Sequence, residues 1–514
     1  MTQTPKETKN INPTIIHLCD SYKHGHLLQY PDDLTHLYVN FTPRAGRDSE
    51  DKGVIFFGLQ YFLAEFDAIM RDTFFAVSWD ILEATTREFY QDFYREEVPV
   101  VVLKKLLALH DKGCWQDVLV FNSVPEGTFV PYGVPCVTIH NADPNLAWFT
   151  TFIESWFSCE VWHSCTSATT AMKYRVAFQH YANLTSDQDF MVDFQGHDFS
   201  LRGHTSFLSG LKSGAAHCLS FKGSDTCGVL PFINRYYPGD NGVIATSVPA
   251  TEHSVAMTSG QDEEATLRRF LTEVYPTGIF SFVSDTWDFW AIVTDVLPKL
   301  KNEIMNRDGK LVIRPDSGDP VLIMCGDPDA EVGSPEYKGL VEVLWGIFGG
   351  EINSKGFKQL DAHIGTIYGD SITLERQEQI LSRLWLKQFS STNVVLGIGS
   401  YTYQYVTRDT HGFAFKATAM LRQDSAKWEP IWKDPKTDSG SKKSARGLLA
   451  VIENEDGVLE LHQDMQDNDS NYMLRTLLKP PVKESYATIR DRVLVHVDKE
   501  VKKLERVLNG KVTD

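Results

Sequence analysis

The sequence predicts an α/β fold with a parallel β-sheet that carries polar groups at one edge. Between residues 187 and 408, six short apolar runs each end in a polar and often acidic loop. Helical patterns lie between several of these runs, and strands that alternate with helices are typical of a parallel sheet. Polar groups after every strand favour a barrel-like sheet, in which functional groups gather at the carboxyl ends. A doubly wound open sheet is the competing architecture.

The positions of the apolar runs define the predicted elements of this region. The strands comprise residues 218–221, 242–246, 279–283, 311–313, 364–368 and 394–396. One of the predicted helices contains Pro298, which should kink or shorten it. Another begins after Thr373, which is a candidate N-cap.

The chain on either side of this region has different patterns. Leu37, Val39 and Phe41 alternate with polar residues, as expected of a half-buried strand. Residues 448–452 and 458–461 flank a turn and indicate a hairpin. Apolar residues at helical spacing between 489 and 508 predict a terminal amphipathic helix. We therefore divide the chain into residues 1–186, 187–408 and 409–514.

Composition excludes several classes of protein. With 514 residues, of which 42% are hydrophobic, the chain can bury a large core. A formal net charge of −18 disfavours nucleic acid as a partner, because nucleic acid requires a basic surface. No apolar run approaches the roughly 18 residues of a membrane helix, and the N-terminus lacks a signal-peptide segment. Eight cysteines without a C-x-x-C pair suggest neither a zinc site nor a disulfide framework, so we expect a soluble cytoplasmic protein.

Residues 310–320, K-L-V-I-R-P-D-S-G-D-P, hold the most chemical information. An apolar strand there would deliver Arg314, Asp316, Ser317 and Asp319 to the sheet edge. Arginine offers a planar fork of donors to an anion, and carboxylates bind ribose hydroxyls or magnesium. The same residue types also form ordinary turns. The pattern predicts a site for a phosphorylated sugar because similar groups follow the other strands.

Other strand ends carry groups that suit the same ligand. The G-I-G-S sequence at residues 397–400 would let backbone N–H groups converge on phosphate, although a tight strand-to-helix turn has the same pattern. Asp370, after the preceding strand, could accept hydrogen bonds from a ribose diol. His253 follows a strand and adjoins Glu252. A solitary histidine is usually a hydrogen-bonded structural residue, but this position makes a nucleophilic or acid/base role an alternative.

Two further motifs suit a flat heterocycle. Phe199 and Arg202 are three residues apart, so an aromatic face and a guanidinium could bind a ring and a neighbouring anion. Phe199 is otherwise an ordinary core residue. Asp225 could accept a hydrogen bond from an amide NH₂. Lys222 could form a Schiff base in an aldolase-like barrel, with a structural or anion-contacting role as its alternative.

Seven motifs occur along the chain in order. They are D-S-Y-K-x-x-H-x-x-Q-Y-P at 20–31, P-E-G-x-x-V-P at 125–131, H-D-F-x-x-R-G at 197–203, F-K-G-S-D-T at 221–226, S-V-P-A-x-E-H-S at 247–254, S-D-x-x-D at 284–288 and R-P-D-S-G-D at 314–319. Together they resemble the nicotinamide phosphoribosyltransferase family from about residue 14 to about residue 500.

This resemblance implies an activity and an architecture. The family transfers the phosphoribosyl group of 5-phosphoribosyl-1-diphosphate to nicotinamide, which gives nicotinamide mononucleotide and diphosphate in NAD salvage. It uses Mg²⁺ and ATP as a stimulating co-substrate, and it is a homodimer with shared active sites. The implied fold is that of a type II phosphoribosyltransferase, in which a second α+β domain is built from the N- and C-terminal parts of the chain.

The resemblance also implies roles for individual residues. Phe199 and Tyr22 of the partner subunit would stack on opposite faces of nicotinamide, while Asp225 and Arg314 would contact its carboxamide. His253 matches the phosphorylatable histidine through which ATP hydrolysis is coupled to turnover. The remaining substrate contacts would be Arg202, Ser281, Asp316, Gly369, Asp370, Gly399 and Ser400. The diphosphate contacts would be Arg44, Arg408, Lys416 and Lys433. The catalytic residues would be His253, Asp316 and Arg314, and the Mg²⁺ ligands Asp285 and Asp316.

The chain departs from the family pattern at two motifs and in the lysine-rich loop after Pro435, where Lys442 and Lys443 are given no role. Ser200 and Leu201 replace a common Gly-Tyr pair, which should alter the packing of the wall beside the ring. Ser400 and Tyr401 replace glycines in the phosphate loop. The second change should alter affinity for the 5-phosphate, although a serine hydroxyl can itself donate.

The implied reaction needs no general base, and three alternatives to it differ in chemistry. Loss of diphosphate gives an oxocarbenium-like transition state, so the protein must stabilise departing charge and orient a ring nitrogen that is already nucleophilic. A nicotinate-specific transferase is the near alternative, and an ionised Asp225 would repel nicotinate. A sugar-phosphate aldolase would use Lys222. A non-catalytic binding protein is disfavoured because charged groups at the sheet edge are costly to maintain without a ligand.

Overall fold

The computed structural model describes residues 13–437, 444–465 and 475–511. The chain divides into two compact units: residues 1–166 with 407–484, and residues 167–406 with 485–514. This division differs from the predicted boundaries (1–186, 187–408 and 409–514) because it assigns residues 167–186 and the C-terminal helix to the second unit.

The second unit is built on a sheet of six parallel strands. In chain order they are β1 (Gly196–Asp198), β2 (Gly223–Ser224), β3 (Thr277–Val283), β4 (Asp308–Arg314), β5 (Ile364–Tyr368) and β6 (Val394–Ile398). Their order across the sheet is β2-β1-β6-β5-β4-β3, and every neighbouring pair is parallel. All six carboxyl ends therefore lie at the same edge.

A short extended segment bridges the two outer strands of this sheet. Thr246 forms an isolated parallel bridge with Gly223 of β2, and Ala250 forms one with Ser281 of β3. Backbone hydrogen bonds accompany both bridges. The sheet is thus curled and barrel-like, as predicted, and residues 246–250 close it in place of a further strand.

Four of the six predicted strands are confirmed, and two are wrong. Residues 279–283, 311–313, 364–368 and 394–396 lie within β3 to β6. Residues 218–221 instead form the turn after the helix Phe207–His217, and burial explains their apolar character without a strand. Residues 242–246 contribute only the bridge at Thr246. The sequence does not predict β1 and β2, because two or three residues give no periodicity.

Helices connect the strands of the second unit. They span Val192–Gln195, Phe207–His217, Val229–Tyr236, His253–Thr258, Glu263–Arg269, Phe289–Ala291, Leu297–Lys299, Lys301–Met305, Pro320–Cys325, Pro335–Lys338, Leu340–Phe348, Leu374–Leu386 and Ser400–Tyr403. Pro298 lies in the first turn of its short segment, after a wide π turn at Ile292–Val296, so the helix is interrupted as predicted. Thr373 caps Leu374–Leu386 as predicted, since its Oγ1 accepts from the Arg376 amide at 3.2 Å.

The first unit contains a five-stranded antiparallel sheet in which N- and C-terminal parts of the chain pair. Its strands, in sheet order, are Glu429–Pro430, Ala414–Arg422, Leu34–Thr42, Val137–Asn141 and Leu119–Ser123. The two-stranded pairs are Gly53–Ile55 with Phe129–Pro131 and the predicted hairpin, Leu448–Glu453 with Leu459–Met465. Helices in the N-terminal part of the chain span Tyr22–Gln29, Leu59–Ile69, Trp79–Phe89, Val100–His110, Phe149–Phe152 and Glu154–Thr185. The second, composite α+β domain is therefore confirmed.

The strand Leu34–Thr42 is more buried than predicted. It lies at the centre of its sheet, and every residue from Leu37 onward is buried. Its polar residues are satisfied internally: Asn40 Nδ2 donates to Lys416 O at 3.1 Å, and Thr42 Oγ1 donates to Asn40 Oδ1 at 2.7 Å. The prediction of a half-buried strand is wrong because the polar residues that alternate with the apolar ones are buried and form hydrogen bonds inside the protein.

The terminal helix, Tyr486–Lys511, is amphipathic as predicted. Its buried apolar residues recur at helical spacing: Ile489, Val493, Val497 and Val501. The side chain of Leu508 lies outside the described residues. In the part of the chain that the structure covers, no helix has both the length and the apolar character needed to cross a bilayer. All eight cysteines are free thiols.

Replacing Arg490 by leucine should destabilise the second unit. The buried guanidinium donates to the carbonyl oxygens of Cys218, Val243 and Ile244 at 2.8, 2.6 and 2.6 Å. The variant leaves these acceptors without their donor, which should lower the free energy of unfolding by about 3 kcal/mol. Thermal unfolding measures the change, with Lys502→Leu as the control because Lys502 is an exposed cation on the same helix. Equal unfolding midpoints for the two variants would contradict this account.

Candidate active site

The predicted functional residues of the second unit lie at or just beyond the carboxyl ends of its strands. In sheet order they are Asp225 after β2, Phe199 and Arg202 after β1, Gly399 and Ser400 after β6, Gly369 and Asp370 after β5, Asp316 after β4, and Asp285 after β3. Arg314 is the last residue of β4, and Ser281 lies within β3. The parallel sheet thus brings six distant segments of the chain to one edge.

Two cavities meet at this edge. A cavity of about 370 Å³ lies inside the curled sheet, and a second of about 720 Å³ lies among the loops that follow the strands. Phe199, Asp225 and Arg314 line both, so they mark the junction. Near it, Ser281 Oγ and Arg314 Nε are buried without a hydrogen-bond partner in the structure. Buried polar atoms are rarely left unpaired, so a polar ligand would satisfy them.

The Phe199 ring is held in a narrow slot beside β6. The backbone amide of Phe199 donates to Ile398 O at 3.0 Å, and the centroid of its ring lies 4.6 Å from that of the His197 ring. A Cβ atom added to Gly397 would come within 2.5 Å of the Phe199 ring. Glycine at position 397 therefore permits the close approach of this ring to the strand.

Two side chains fix the carboxylate of Asp225. His197 Nε2 lies 2.9 Å from Asp225 Oδ1, and Ser247 Oγ donates to the same oxygen at 2.5 Å. Burial alone would raise the pKa of Asp225, but these hydrogen bonds and the nearby charges of His197 and Arg314 lower it below its ordinary value. Asp225 therefore presents an ionised group, which only accepts hydrogen bonds, at the junction of the two cavities.

Asp198 holds the loops after β1 and β2 in place, a role that its residue type alone does not predict. Its Oδ1 accepts from the amide and the hydroxyl of Ser200 at 2.9 and 2.6 Å. Its Oδ2 accepts from the hydroxyls of Ser224 and Thr226 at 3.2 and 2.8 Å. The buried carboxylate thereby ties the loop after β1 to the loop after β2. The departure at Ser200 is explained, because its hydroxyl is one of the donors.

Asp285 holds His253 and the loop after β4 in place at the other end of the sheet. Its side chain is only 4% exposed. Oδ1 lies 3.0 Å from His253 Nε2, and Oδ2 accepts from the Asp316 amide and the Ser317 hydroxyl at 2.9 and 2.6 Å. Burial would raise the pKa of Asp285, but these hydrogen bonds lower it. Both oxygens thus position His253 and the loop after β4.

Asp316 lies in an acidic neighbourhood. Burial raises its pKa; Arg314 lowers it, and the charges of Asp285 and Asp370 raise it again. A Cβ atom on Gly369 would come within 2.4 Å of Asp316 Oδ1, so this glycine lets the ends of β4 and β5 approach. Within the described ranges, no group of three or more His, Cys, Asp or Glu side chains could hold a metal ion by itself. A cation here would need further ligands, such as substrate oxygens.

The loop after β6 leads into a one-turn helix. Gly399 precedes the helix Ser400–Tyr403. Ser400 packs on Gly203, where an added Cβ atom would come within 1.9 Å of the serine Oγ. The predicted phosphate loop thus touches the H-D-F-x-x-R-G motif. Tyr401, which replaces a glycine of the family pattern, is 64% exposed.

Lys222 is engaged away from the cavities. Its Nζ lies 2.7 Å from Asp193 Oδ2, and Asp193 Oδ1 pairs with Arg175 at the same distance. Lys222 lines neither cavity of the active site. The ion pair supports a structural role and disfavours an aldolase, whose Schiff-base lysine must reach its substrate.

The first unit brings together four cations predicted to bind diphosphate. Burial lowers the pKa of Lys416, the charge of Glu154 raises it, and the charges of Arg44, Lys433 and Arg408 lower it. Tyr22 is 60% exposed and lies in the same neighbourhood, since the charge of Arg408 acts on its hydroxyl. This unit therefore has a cationic cluster next to an exposed aromatic ring.

Comparison with known proteins decides the family. The model of the nicotinamide phosphoribosyltransferase N-terminal domain matches residues 14–105, and that of the nicotinate phosphoribosyltransferase family matches residues 194–481. Nicotinamide phosphoribosyltransferase of Acinetobacter baylyi is 42% identical over 484 residues, which cover 91% of this chain and 94% of the relative. The chain belongs to the nicotinamide phosphoribosyltransferase family.

Further relatives agree with that assignment. Nicotinamide phosphoribosyltransferase of Mycoplasma pneumoniae is 35% identical over 452 residues, or 85% of this chain and 96% of the relative. Nicotinate-nucleotide pyrophosphorylase of Pyrococcus furiosus has a similar structure, with a TM-score of 0.55 at 13% identity, and the match covers 98% of this chain and 99% of that chain. This likeness confirms the predicted fold, and membership of the nicotinamide phosphoribosyltransferase family confirms the resemblance of the seven motifs.

Sequence reasoning missed the groups that position the predicted ones. The Thr251 carbonyl accepts from Arg314 Nη2 at 2.9 Å, and His197, Asp198 and Ser247 act on the loops as described. All four lie inside motifs shared with the nicotinamide phosphoribosyltransferase family. Their position in these motifs was the available signal, but their partners are distant in sequence.

Proposed function

We propose that this protein transfers the 5-phosphoribosyl group of 5-phosphoribosyl-1-diphosphate to nicotinamide, giving nicotinamide mononucleotide and diphosphate in NAD salvage. The main structural support is the cavity junction at which Phe199, Asp225 and Arg314 meet. An aromatic face, an ionised acceptor and a guanidinium suit a pyridine ring that bears a carboxamide. Free thiols at all eight cysteines fit a reducing cytoplasmic compartment.

Asp225 would select nicotinamide over nicotinate. An ionised carboxylate accepts a hydrogen bond from the carboxamide NH₂ but repels the carboxylate of nicotinate. Arg314 and Ser281, which have buried unpaired polar atoms beside the junction, would contact the carboxamide oxygen. Nicotinate transfer is therefore the weaker candidate.

The neighbouring strand ends would hold the phosphoribosyl group. Asp316 and Asp370 would accept from the ribose hydroxyls beside Gly369. Arg202, Gly399 and Ser400 would bind phosphate near the ring. Mg²⁺ fits the acidic neighbourhood of Asp316 better than Asp285, because both Asp285 oxygens already accept hydrogen bonds. When bound, Mg²⁺ would neutralise charge on the diphosphate.

The transfer itself requires orientation and charge stabilisation. The bond between C1 and the diphosphate oxygen breaks with its electron pair leaving on diphosphate, and the ring nitrogen forms the new bond to C1. Stacking on Phe199 restricts the ring to the orientation in which this nitrogen faces C1. Preorganised donors to the leaving group contribute about 3 kcal/mol each to reactions of this kind.

The cationic cluster of the first unit would bind that leaving group in a second copy of the chain. Arg44, Arg408 and Lys433 lower the pKa of Lys416 against the opposing charge of Glu154, so an anion bound among the four cations would relieve their mutual repulsion. Tyr22 of the partner subunit would then cover the free face of nicotinamide. The protein would be a homodimer with shared active sites.

His253 would couple ATP hydrolysis to this reaction. Its Nε2 donates to the ionised Asp285, which leaves Nδ1 as the nucleophile for the γ-phosphoryl group. The P–O bond to ADP breaks as the N–P bond forms, and water later hydrolyses the phosphohistidine. Because Asp285 also holds the Asp316 amide, a change at His253 would be transmitted to the ribose-binding loop.

Product analysis with nicotinamide or nicotinate, each with 5-phosphoribosyl-1-diphosphate and Mg²⁺, tests the reaction and the role of Asp225. The wild-type protein should form nicotinamide mononucleotide in preference. Asp225→Asn should narrow that preference because it removes the repulsion of nicotinate. Asp225→Glu keeps the charge and should retain the discrimination. An unchanged ratio of products in Asp225→Asn would refute the assignment.

His253→Ala should abolish ATP hydrolysis yet leave residual nucleotide formation, because the transfer needs no base. Phosphate release and nicotinamide mononucleotide formation are measured in the same samples. His363→Ala is a matched control, since His363 also pairs with an aspartate, Asp361, at 2.7 Å. Full ATPase activity in His253→Ala would remove His253 from the mechanism.

Two defective variants, Tyr22→Ala and Arg314→Ala, should complement each other after joint unfolding and refolding. Each mixed dimer then has one site with both lesions and one with neither. Random mixing makes half of the dimers mixed, so activity should recover to about a quarter of the wild-type value. Tyr22→Ala mixed with Arg44→Ala should not recover, because every site keeps one lesion. Mixed dimers of the first pair without recovered activity would exclude shared sites.

A further inference from the structure

Two buried side chains, Tyr403 and His217, form a hydrogen-bond relay that ends at the backbone of Gly223. Tyr403, the last residue of the helix that begins at Ser400, places its hydroxyl 2.6 Å from His217 Nδ1. His217 Nε2 in turn lies 3.0 Å from the carbonyl oxygen of Gly223. Both side chains are at most 1% exposed, so water does not share these contacts.

The direction of hydrogen-bond donation in the relay is fixed. A carbonyl oxygen only accepts, so the proton of His217 lies on Nε2. Burial lowers the pKa of His217, which keeps the imidazole neutral. Its Nδ1 therefore accepts, and Tyr403 donates. The ring of Phe221 stacks on the imidazole with centroids 5.1 Å apart and planes at 24°, which holds its orientation.

The relay connects two parts of the active site that are not adjacent in the sheet. Gly223 begins β2, and Asp225 follows that strand directly. Tyr403 ends the helix that begins at the phosphate loop after β6. In the sheet order β2-β1-β6, the strand β1 with Phe199 lies between them. The relay thus joins the two strands that flank the ring-stacking residue.

We propose that Tyr403 and His217 are positioning residues that couple the phosphate loop to Asp225. The relay sets the spacing between these groups, so a ligand that has both a 5-phosphate and a carboxamide ring binds more tightly than its two halves would suggest. This inference rests on the proposed function, because it requires the phosphate and the carboxamide to bind at those places. Neither side chain touches the ligand itself.

Calorimetric titration of wild type and Tyr403→Phe with three probes tests the coupling. The variant removes one hydroxyl and leaves His217 Nδ1 unpaired. Affinity for nicotinamide mononucleotide should fall about tenfold, which is a usual size for the coupling between two binding places. Affinities for nicotinamide alone and for ribose 5-phosphate alone should change less than about twofold, since each probe engages only one side of the relay. Tyr403→Met, which also cannot donate, must give the same pattern and serves if the first variant does not fold.

Tyr486→Phe is the matched control. Tyr486 is also buried in the second unit, and its hydroxyl donates to Ala215 O at 2.6 Å, but this bond joins no active-site loop. The Tyr486→Phe variant should lower thermal stability as Tyr403→Phe does, but the ratio of its affinities for the three probes should equal that of the wild type. Equal losses for all three probes in Tyr403→Phe, or no loss for the mononucleotide, would overturn the inference. A wild-type protein that binds none of the probes would overturn the proposed function as well.

Discussion

The carboxylate of Asp198 is the contact on which the half of the site around Phe199 and Asp225 depends. Parallel strands place their carboxyl ends at one edge of the sheet, but they do not determine the conformation of the loops that follow. Asp198 is buried and accepts from two loops at once, through Ser200 on one side and Ser224 and Thr226 on the other. A buried charge of this kind is stable only when its hydrogen bonds are made, so the loops that provide the donors are held with it.

Asp285 has the same function in the half of the site around Asp316. It has one oxygen for His253 and one for the loop that begins at Asp316. Asp198 and Asp285 lie beside Asp225 and Asp316, whose side chains line the cavities. Asp198 and Asp285 thus hold the loops in place, and Asp225, Asp316 and Asp370 are available to a ligand.

Much of the architecture follows from local sequence, and most of the supporting contacts do not. The strands β3 to β6 are apolar runs long enough to show periodicity, whereas β1 and β2 are too short for any pattern. Arg314 could be named from the sequence because a predicted strand ends at it, and Phe199 and Asp225 because their chemistry is distinctive within shared motifs. Asp198 and Tyr403 could not, because their roles depend on partners such as Thr226 and His217 that only the folded sheet brings near.

The closure of the sheet by residues 246–250 gives the barrel a seam. Isolated bridges at Thr246 and Ala250 hold this seam, whereas β3 and β4 pair continuously over their whole length. Local opening is easiest where backbone pairing is sparse. The seam also contains Ser247, which holds Asp225, and leads directly to His253. If this seam opened, the contact of Ser247 with Asp225 would be lost before the continuous pairing of β3 with β4.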